Sequence, residues 1–303
     1  MKYKNRKWLV LIFLLFPGMM LAQKADDKAC QIIQKAVNYH CQKKYNKSLN
    51  TFQQFRKNYP AHELSEEAYY AMGMIYFEKG KYEKAKEIFN EIVSWKDYKK
   101  YDSTFRIWMC VEMKQKCDHF IRQEDLLTIQ HESCIQLAEI GFKTKNYPLV
   151  YLSVENADKY YRVWNGCGTG DLQESIRLSL LYSRYYQATG LADTAIQVLL
   201  PTILEPAALP INYYKEAVNE LVVLMKKRYT QPEINKLLNE SIENLICDIN
   251  KPNPNKEVHV YFINLLGVKI HVAPGYLFAA NKDKEEVKNY IRNTDFYIRL
   301  VIL

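Results

Sequence analysis

Residues 67–95, EAYYAMGMIYFEKGKYEKAKEIFNEIVSW, carry two helical periods separated by a turn. Tyr69, Met72, Gly73 and Tyr76 recur at intervals of three and four, the spacing of one helix face. Gly80 and Tyr82 then mark a tight reversal, and Ala85, Ile88, Phe89 and Ile92 resume the same spacing. The stretch predicts two antiparallel helices whose apolar faces need further helices to cover them.

Self-comparison extends this unit. An offset of 37 residues aligns Ala36 with Gly73, Tyr39 with Tyr76, Tyr45 with Tyr82, Ser48 with Ala85 and Phe52 with Phe89. The first unit therefore runs from about Ala29 to Pro60. Ala138, Gly141, Tyr147, Val150, Val154 and Ala157 outline a third pair over about His131–Trp164. Ser183, Tyr186, Gly190, Ala195 and Leu199 outline a fourth over about Ser175–Leu204. Asp102–Gln130 keeps helical spacing without the small residues and reads as a degenerate pair. Tyr213–Ile249 reads as an unmatched helical hairpin with Pro232 near the start of its second helix.

On these residues the chain resembles the tetratricopeptide repeat family over about residues 29–250, most specifically in the second unit. The resemblance implies a mostly α fold, a right-handed α-solenoid of antiparallel helix pairs, with Gly73 and Ala85 where two helices approach closely. It also implies a binding role, since the first helix of each pair faces a concave side. Matched residue by residue, that face receives Ile33, Val37 and His40 from the first pair and Tyr70, Met74 and Phe77 from the second. The third pair adds Ile135, Glu139 and Phe142, and the fourth Arg177, Leu180 and Arg184. Family members that clamp a carboxylate use Lys, Arg and Asn there, which Tyr70 and Met74 do not match. An extended or helical protein segment is the implied ligand. The competing reading is that these apolar residues only seal against neighbouring helices.

After Lys251-Pro252-Asn253-Pro254-Asn255, whose prolines cannot continue a helix, the period changes. Residues 258–263 and Val268–Val272 alternate as strands, Asp283–Arg292 has helical spacing behind an N-cap aspartate, and Phe296–Leu303 is β-branched and aromatic. The expected organisation is a leader at 1–22, helical repeats at 23–250 and a small β-hairpin, helix and strand module at 251–303. That module is too small to hold a sizeable core and should pack on the last helical hairpin.

The leader reading rests on Lys2, Lys4, Arg6 and Lys7, an apolar run from Trp8 to Phe16, Pro17-Gly18, and Ala22 before Gln23. The run is shorter than the ~20 residues of a bilayer-spanning helix, which favours a cleaved signal peptide. The expected location is thus exported, periplasmic or associated with the outer membrane. Contact with a membrane would come only through an uncleaved leader or an attached partner. The 42 basic and 34 acidic residues give +8 overall, and +4 once the leader is removed. No block of five or more like charges appears, so nucleic acid is not an expected partner. Among the seven cysteines, Cys110 and Cys117 would lie roughly 10 Å apart on one helix, beyond disulfide reach. Cys30 and Cys41 fail by more, so bridges must join different helices.

Other chemistry is weaker. Cys110, Cys117, His119, His131 and Cys134 have zinc-ligand types, but only His131 and Cys134 have zinc-ligand spacing. Small buried cysteines, or a Cys117–Cys134 bridge, explain them better. His259 and His271 are equidistant from Leu265, so a turn centred there would set them opposite each other on one face. Gly166-Cys167-Gly168-Thr169-Gly170-Asp171 lacks the lysine and hydroxyl of a phosphate loop and reads as a connection with Asp171 at a helix N-cap. No cofactor or metal is expected, and no grouping indicates an enzyme. The expected role is a scaffold for protein–protein interactions in the cell envelope. The alternatives are an accessory protein masking one partner, or an enzyme using His259, His271 or Lys269 against the helices.

Overall fold

The computed structural model describes residues 28–62, 64–95, 129–162, 168–204, 212–253, 256–272 and 283–301. The leader, most of the degenerate pair at 102–130, and Cys110, Cys117, His119, Gly166 and Cys167 lie outside the described residues. The chain forms two compact units, ending at Ile140 and starting at Gly141.

In the first unit, α1 (28–41) and α2 (Tyr45–Asn58) form one pair, and α3 (Leu64–Glu78) and α4 (Tyr82–Val93) the next. Phe52, Phe55, Ile75, Phe89 and Ile92 are fully buried between them, each worth about 1.5–3 kcal/mol of burial. Ala85 is also fully buried, and a Cβ added at Gly73 would lie 2.7 Å from Phe89 Cε1. The close approach expected at Gly73 and Ala85 is therefore present. In the first pair the matching contact is polar: the Ser48 hydroxyl donates to the Ala36 carbonyl at 2.8 Å, with both residues buried. Helix α5 (Ile129–Thr144) follows, and the Gln130 amide near its start donates to the Trp95 carbonyl at 2.7 Å.

The second unit continues with α6 (Tyr147–Lys159), α7 (Gly168–Ala188), α8 (Ala192–Leu199), a 3-10 turn (Leu200–Thr202), α9 (Asn212–Arg228) and α10 (Gln231–Glu243). Asp171 lies in the first turn of α7, which begins at Gly168, and so is not its N-cap. Pro232 opens α10 behind a capping box of Thr230 and Glu233.

The turns inside the four pairs are copies of one device. Lys43, Gly80, Lys145 and Gly190 are left-handed, with φ of 56°, 67°, 57° and 82°. The amides one residue on, at Lys44, Lys81, Asn146 and Leu191, bond to the carbonyls of Tyr39, Tyr76, Gly141 and Tyr186 at 2.8–2.9 Å. This six-to-one bond is the Schellman ending of a helix, and its recurrence sets each second helix at a matching position.

A three-stranded antiparallel sheet, ordered β1-β2-β3, follows: β1 (Ile246–Asn253), β2 (Lys256–Leu265) and β3 (Val268–Val272). Helices α11 (Lys284–Arg292) and α12 (Asp295–Val301) complete the described chain. Two expectations change here. The helical hairpin stops at Glu243, and 246–253 is a strand, not the tail of a helix. Pro252 is accommodated because β1 is an edge strand whose register shifts between Asn250 and Asn253. Phe296–Val301 is helix, not strand. Phe296 and Leu300, four apart, are both buried, and Thr294 Oγ1 accepts from the Tyr297 amide at the helix start. Burial at helical spacing outweighs the strand preference of the individual residues. As expected, the module packs on the last hairpin. Met225, Ile234, Leu238, Ile263, Ile270 and Phe296 share one core, and Lys288 and Arg292 both pair with Glu243.

Candidate functional site: the first-helix faces

The repeated turn supplies a register for the candidate face. Aligning Lys43, Gly80, Lys145 and Gly190 brings Ile33, Tyr70, Ile135 and Leu180 to one position. Val37, Met74, Glu139 and Arg184 share the next, and His40, Phe77, Phe142 and Gln187 the third. Arg177 falls a turn too early to belong, and Gln187 is the member that sequence matching missed. The signal was present in the Gly190 turn.

Burial sorts these residues. In the first unit, Ile33, Val37, Tyr70, Met74, Phe77 and Glu139 are half-buried. His40 and Ile135 are 5% and 4% exposed and belong to the packing between helices, not to an open surface. His40 Nε2 meets Glu78 Oε2 at 2.8 Å, tying α1 to α3, and Tyr45 shares the same carboxylate. Tyr70 rests against Phe89, with ring centroids 5.5 Å apart, and Phe77 against Tyr82 at 5.7 Å. These rings are anchored at one edge while part of their surface stays open. Tyr69 points elsewhere: its hydroxyl donates to Glu91, and burial together with that bond pushes its pKa up to about 12.

In the second unit, Phe142 and Arg184 come together, the guanidinium lying 4.2 Å from the ring centre. The Gln187 amide donates to Glu220 Oε1 on α9 at 2.8 Å. Burial raises the Glu220 carboxyl above the ordinary range, opposed by bonds from Ser183 and Gln187 and by the Arg184 charge. This face is a polar network carrying one aromatic ring, unlike the apolar stripe of the first unit.

The other candidates do not assemble. Cys134 and His131 are fully buried, Cys134 is a free thiol, and desolvation pushes its pKa up to about 12. As a free thiol, Cys134 is not half of a Cys117 bridge. Among the described residues no group of three or more His, Cys, Asp and Glu could hold a metal. Cys30 is free and Cys41 is disulfide-bonded, so the two are not joined to each other. His259 and His271 are not partners either. The β2–β3 turn is Leu266-Gly267, so His271 faces Phe262, while His259 pairs with Ile249. Strand alternation then sets His259 on the face of the buried Tyr261 and Ile263, and His271 with Lys269 on the opposite face. Lys269 is engaged by Asp248 at 3.0 Å.

Helix pairs joined by identical turns, with half-open first-helix faces, define a helical-repeat protein of the interaction class. A tetratricopeptide repeat family model matches residues 66–98, which take in most of α3, all of α4 and the turn between them. Comparison with curated proteins returns no match. Repeats of this kind are generally scaffolds that bind proteins or peptides without catalysis.

Proposed function

We propose that the protein is an exported scaffold of the cell envelope, in a bacterium with two membranes, that holds an extended or helical segment of another protein on its first-helix face. The observation that carries this reading is the stripe of Ile33, Val37, Tyr70, Met74 and Phe77, apolar side chains held half-open at matched positions of successive pairs. An apolar stripe fixed by rigid turns binds with little ordering cost. The match to a peptide-binding repeat family over residues 66–98 supports a protein ligand. Export is supported by the basic, apolar and small-residue order of residues 1–22 and by the disulfide at Cys41, a bond typical of oxidising compartments.

Two variants test the reading. Tyr70→Ala with Phe77→Ala removes both anchors, and large aromatics buried by a partner contribute about 2 kcal/mol or more each. Met74→Lys leaves packing nearly intact, because a lysine stem lies along the surface with its charge in water. The expected result is loss of partner capture in both variants with thermal unfolding of Met74→Lys unchanged. Retained capture in Met74→Lys, or early unfolding with capture retained in the double variant, overturns the assignment. Terminal sequencing of the mature protein, expected to begin at Gln23, tests export.

A further inference from the structure

The turn between α1 and α2 borders a cavity of about 360 Å³ lined by Lys43, Lys44, Tyr45, Asn46, Lys47 and Lys79. Four of these six residues are cationic and none is acidic. The neighbouring carboxylate of Glu78 is bonded by His40 and Tyr45 and is not among the lining residues. Lys79 Nζ reaches across to Asn46 Oδ1 at 2.6 Å, and Lys44 Nζ bonds to Gln42 Oε1 at 2.8 Å, so neutral amides hold both ammonium groups beside the cavity. Lys47 stands over the Tyr39 ring at 5.8 Å.

The equivalent turn of the second pair is an internal control. Register matching gives Gly80 for Lys43, Glu83 for Asn46 and Lys84 for Lys47. There the acid pairs with Lys86 at 3.4 Å, and Lys84 lies over the Tyr76 ring. The second turn carries an acid where the first has Asn46.

We infer that this cavity binds a phosphate group, using Lys43, Lys44, Lys47 and Lys79 as point-charge donors around it. Lysine ammonium groups suit this ligand, since each is a compact charge with three rotatable donors and needs no fixed fork geometry. The volume exceeds that of a single phosphate and admits the group as part of a larger molecule. That molecule is either a soluble phosphorylated compound or a phospholipid headgroup. The site is separate from the first-helix stripe and does not depend on the scaffold reading.

The test uses the mature full chain. Inorganic phosphate is titrated and followed by ³¹P line broadening, while flotation with phosphatidylglycerol vesicles, against phosphatidylcholine vesicles, reports headgroup binding. Asn46→Glu copies the second turn and supplies an internal anion to Lys79. It also adds an acid to the first turn of a helix, where such a charge is favourable, so folding is preserved. Saturable phosphate binding is expected. It should weaken by at least about tenfold in Asn46→Glu and in Lys44→Gln with Lys79→Gln, and stay unchanged in Lys84→Gln. Vesicle binding that follows the same variant order identifies a headgroup, and phosphate binding without it identifies a soluble ligand. The inference is overturned by non-saturable broadening, by Asn46→Glu binding as tightly as the unmodified chain, or by Lys84→Gln losing as much as the turn variants.

Discussion

Gly73→Ala decides whether the second pair packs as described. An added Cβ would lie 2.7 and 2.9 Å from the Phe89 ring edge and 3.1 Å from Ile88 Cγ2. Carbon atoms prefer about 3.5–4.0 Å, so the ring must retreat by roughly 0.8 Å or more. Phe89 is fully buried and packed against the Tyr70 ring, which resists that shift. Overpacking of this kind costs about 1–3 kcal/mol, and the better helix propensity of alanine returns only about 1 kcal/mol. A net loss of about 1 kcal/mol is expected. Urea unfolding followed by circular dichroism measures it, and the double variant with Phe89→Leu identifies its source. Removing the ring should relieve the clash, so the double variant should be more stable than the sum of the single losses by at least about 0.5 kcal/mol. Gly73→Ala with equal or greater stability, or full additivity with Phe89→Leu, refutes the close approach of α3 and α4.

Three further outcomes follow from the same geometry. Ser48→Ala removes a buried hydroxyl bond to Ala36 and should lower stability by about 0.5–1.5 kcal/mol in denaturant titration, more than Thr51→Ala, whose hydroxyl bond is exposed. Burial raises the folded-state pKa of Glu220, so the stability it contributes is fully present below the ordinary carboxylate range and is lost as pH rises through the raised value. Melting temperature plotted against pH should therefore fall more across that window in the unmodified chain than in Glu220→Gln. Cys134, buried with its pKa pushed up to about 12, should resist alkylation in the native state and react on unfolding, read by mass spectrometry with and without urea.

The sequence is legible where packing leaves a one-residue signature. Gly73 and Ala85 mark the helix contact because only small residues fit there, and Gly80 and Gly190 mark turns that need positive φ. Lys43 and Lys145 adopt the same left-handed geometry without glycine, which hides two of the four turns from inspection, whereas the Gly190 turn is legible and places Gln187, not Arg177, on the fourth-pair face. Ser48 aligns with Ala85, but its partner, a main-chain carbonyl of another helix, cannot be read from a residue string. The C-terminal end fails for a tertiary reason. Ile246–Asn253 becomes a strand through pairing with β2, and Phe296–Val301 becomes helical because Phe296 and Leu300 enter the core shared with α9 and α10. Local preference is weak in such short segments and yields to burial. The histidine faces went wrong by a small displacement of the hairpin turn, since strand side chains change face at every residue.

Position-dependent photocrosslinking in cells tests the scaffold account most directly. A photoreactive residue is introduced singly at Met74 or Phe77 on the first-helix face, and at Glu87 or Asn90 on exposed positions of the second helix. The account predicts a discrete adduct with an envelope protein from Met74 and Phe77, absent from Glu87 and Asn90 and abolished in the Met74 probe by Phe77→Ala. The same adduct from Glu87 or Asn90 with none from Met74 and Phe77 contradicts it.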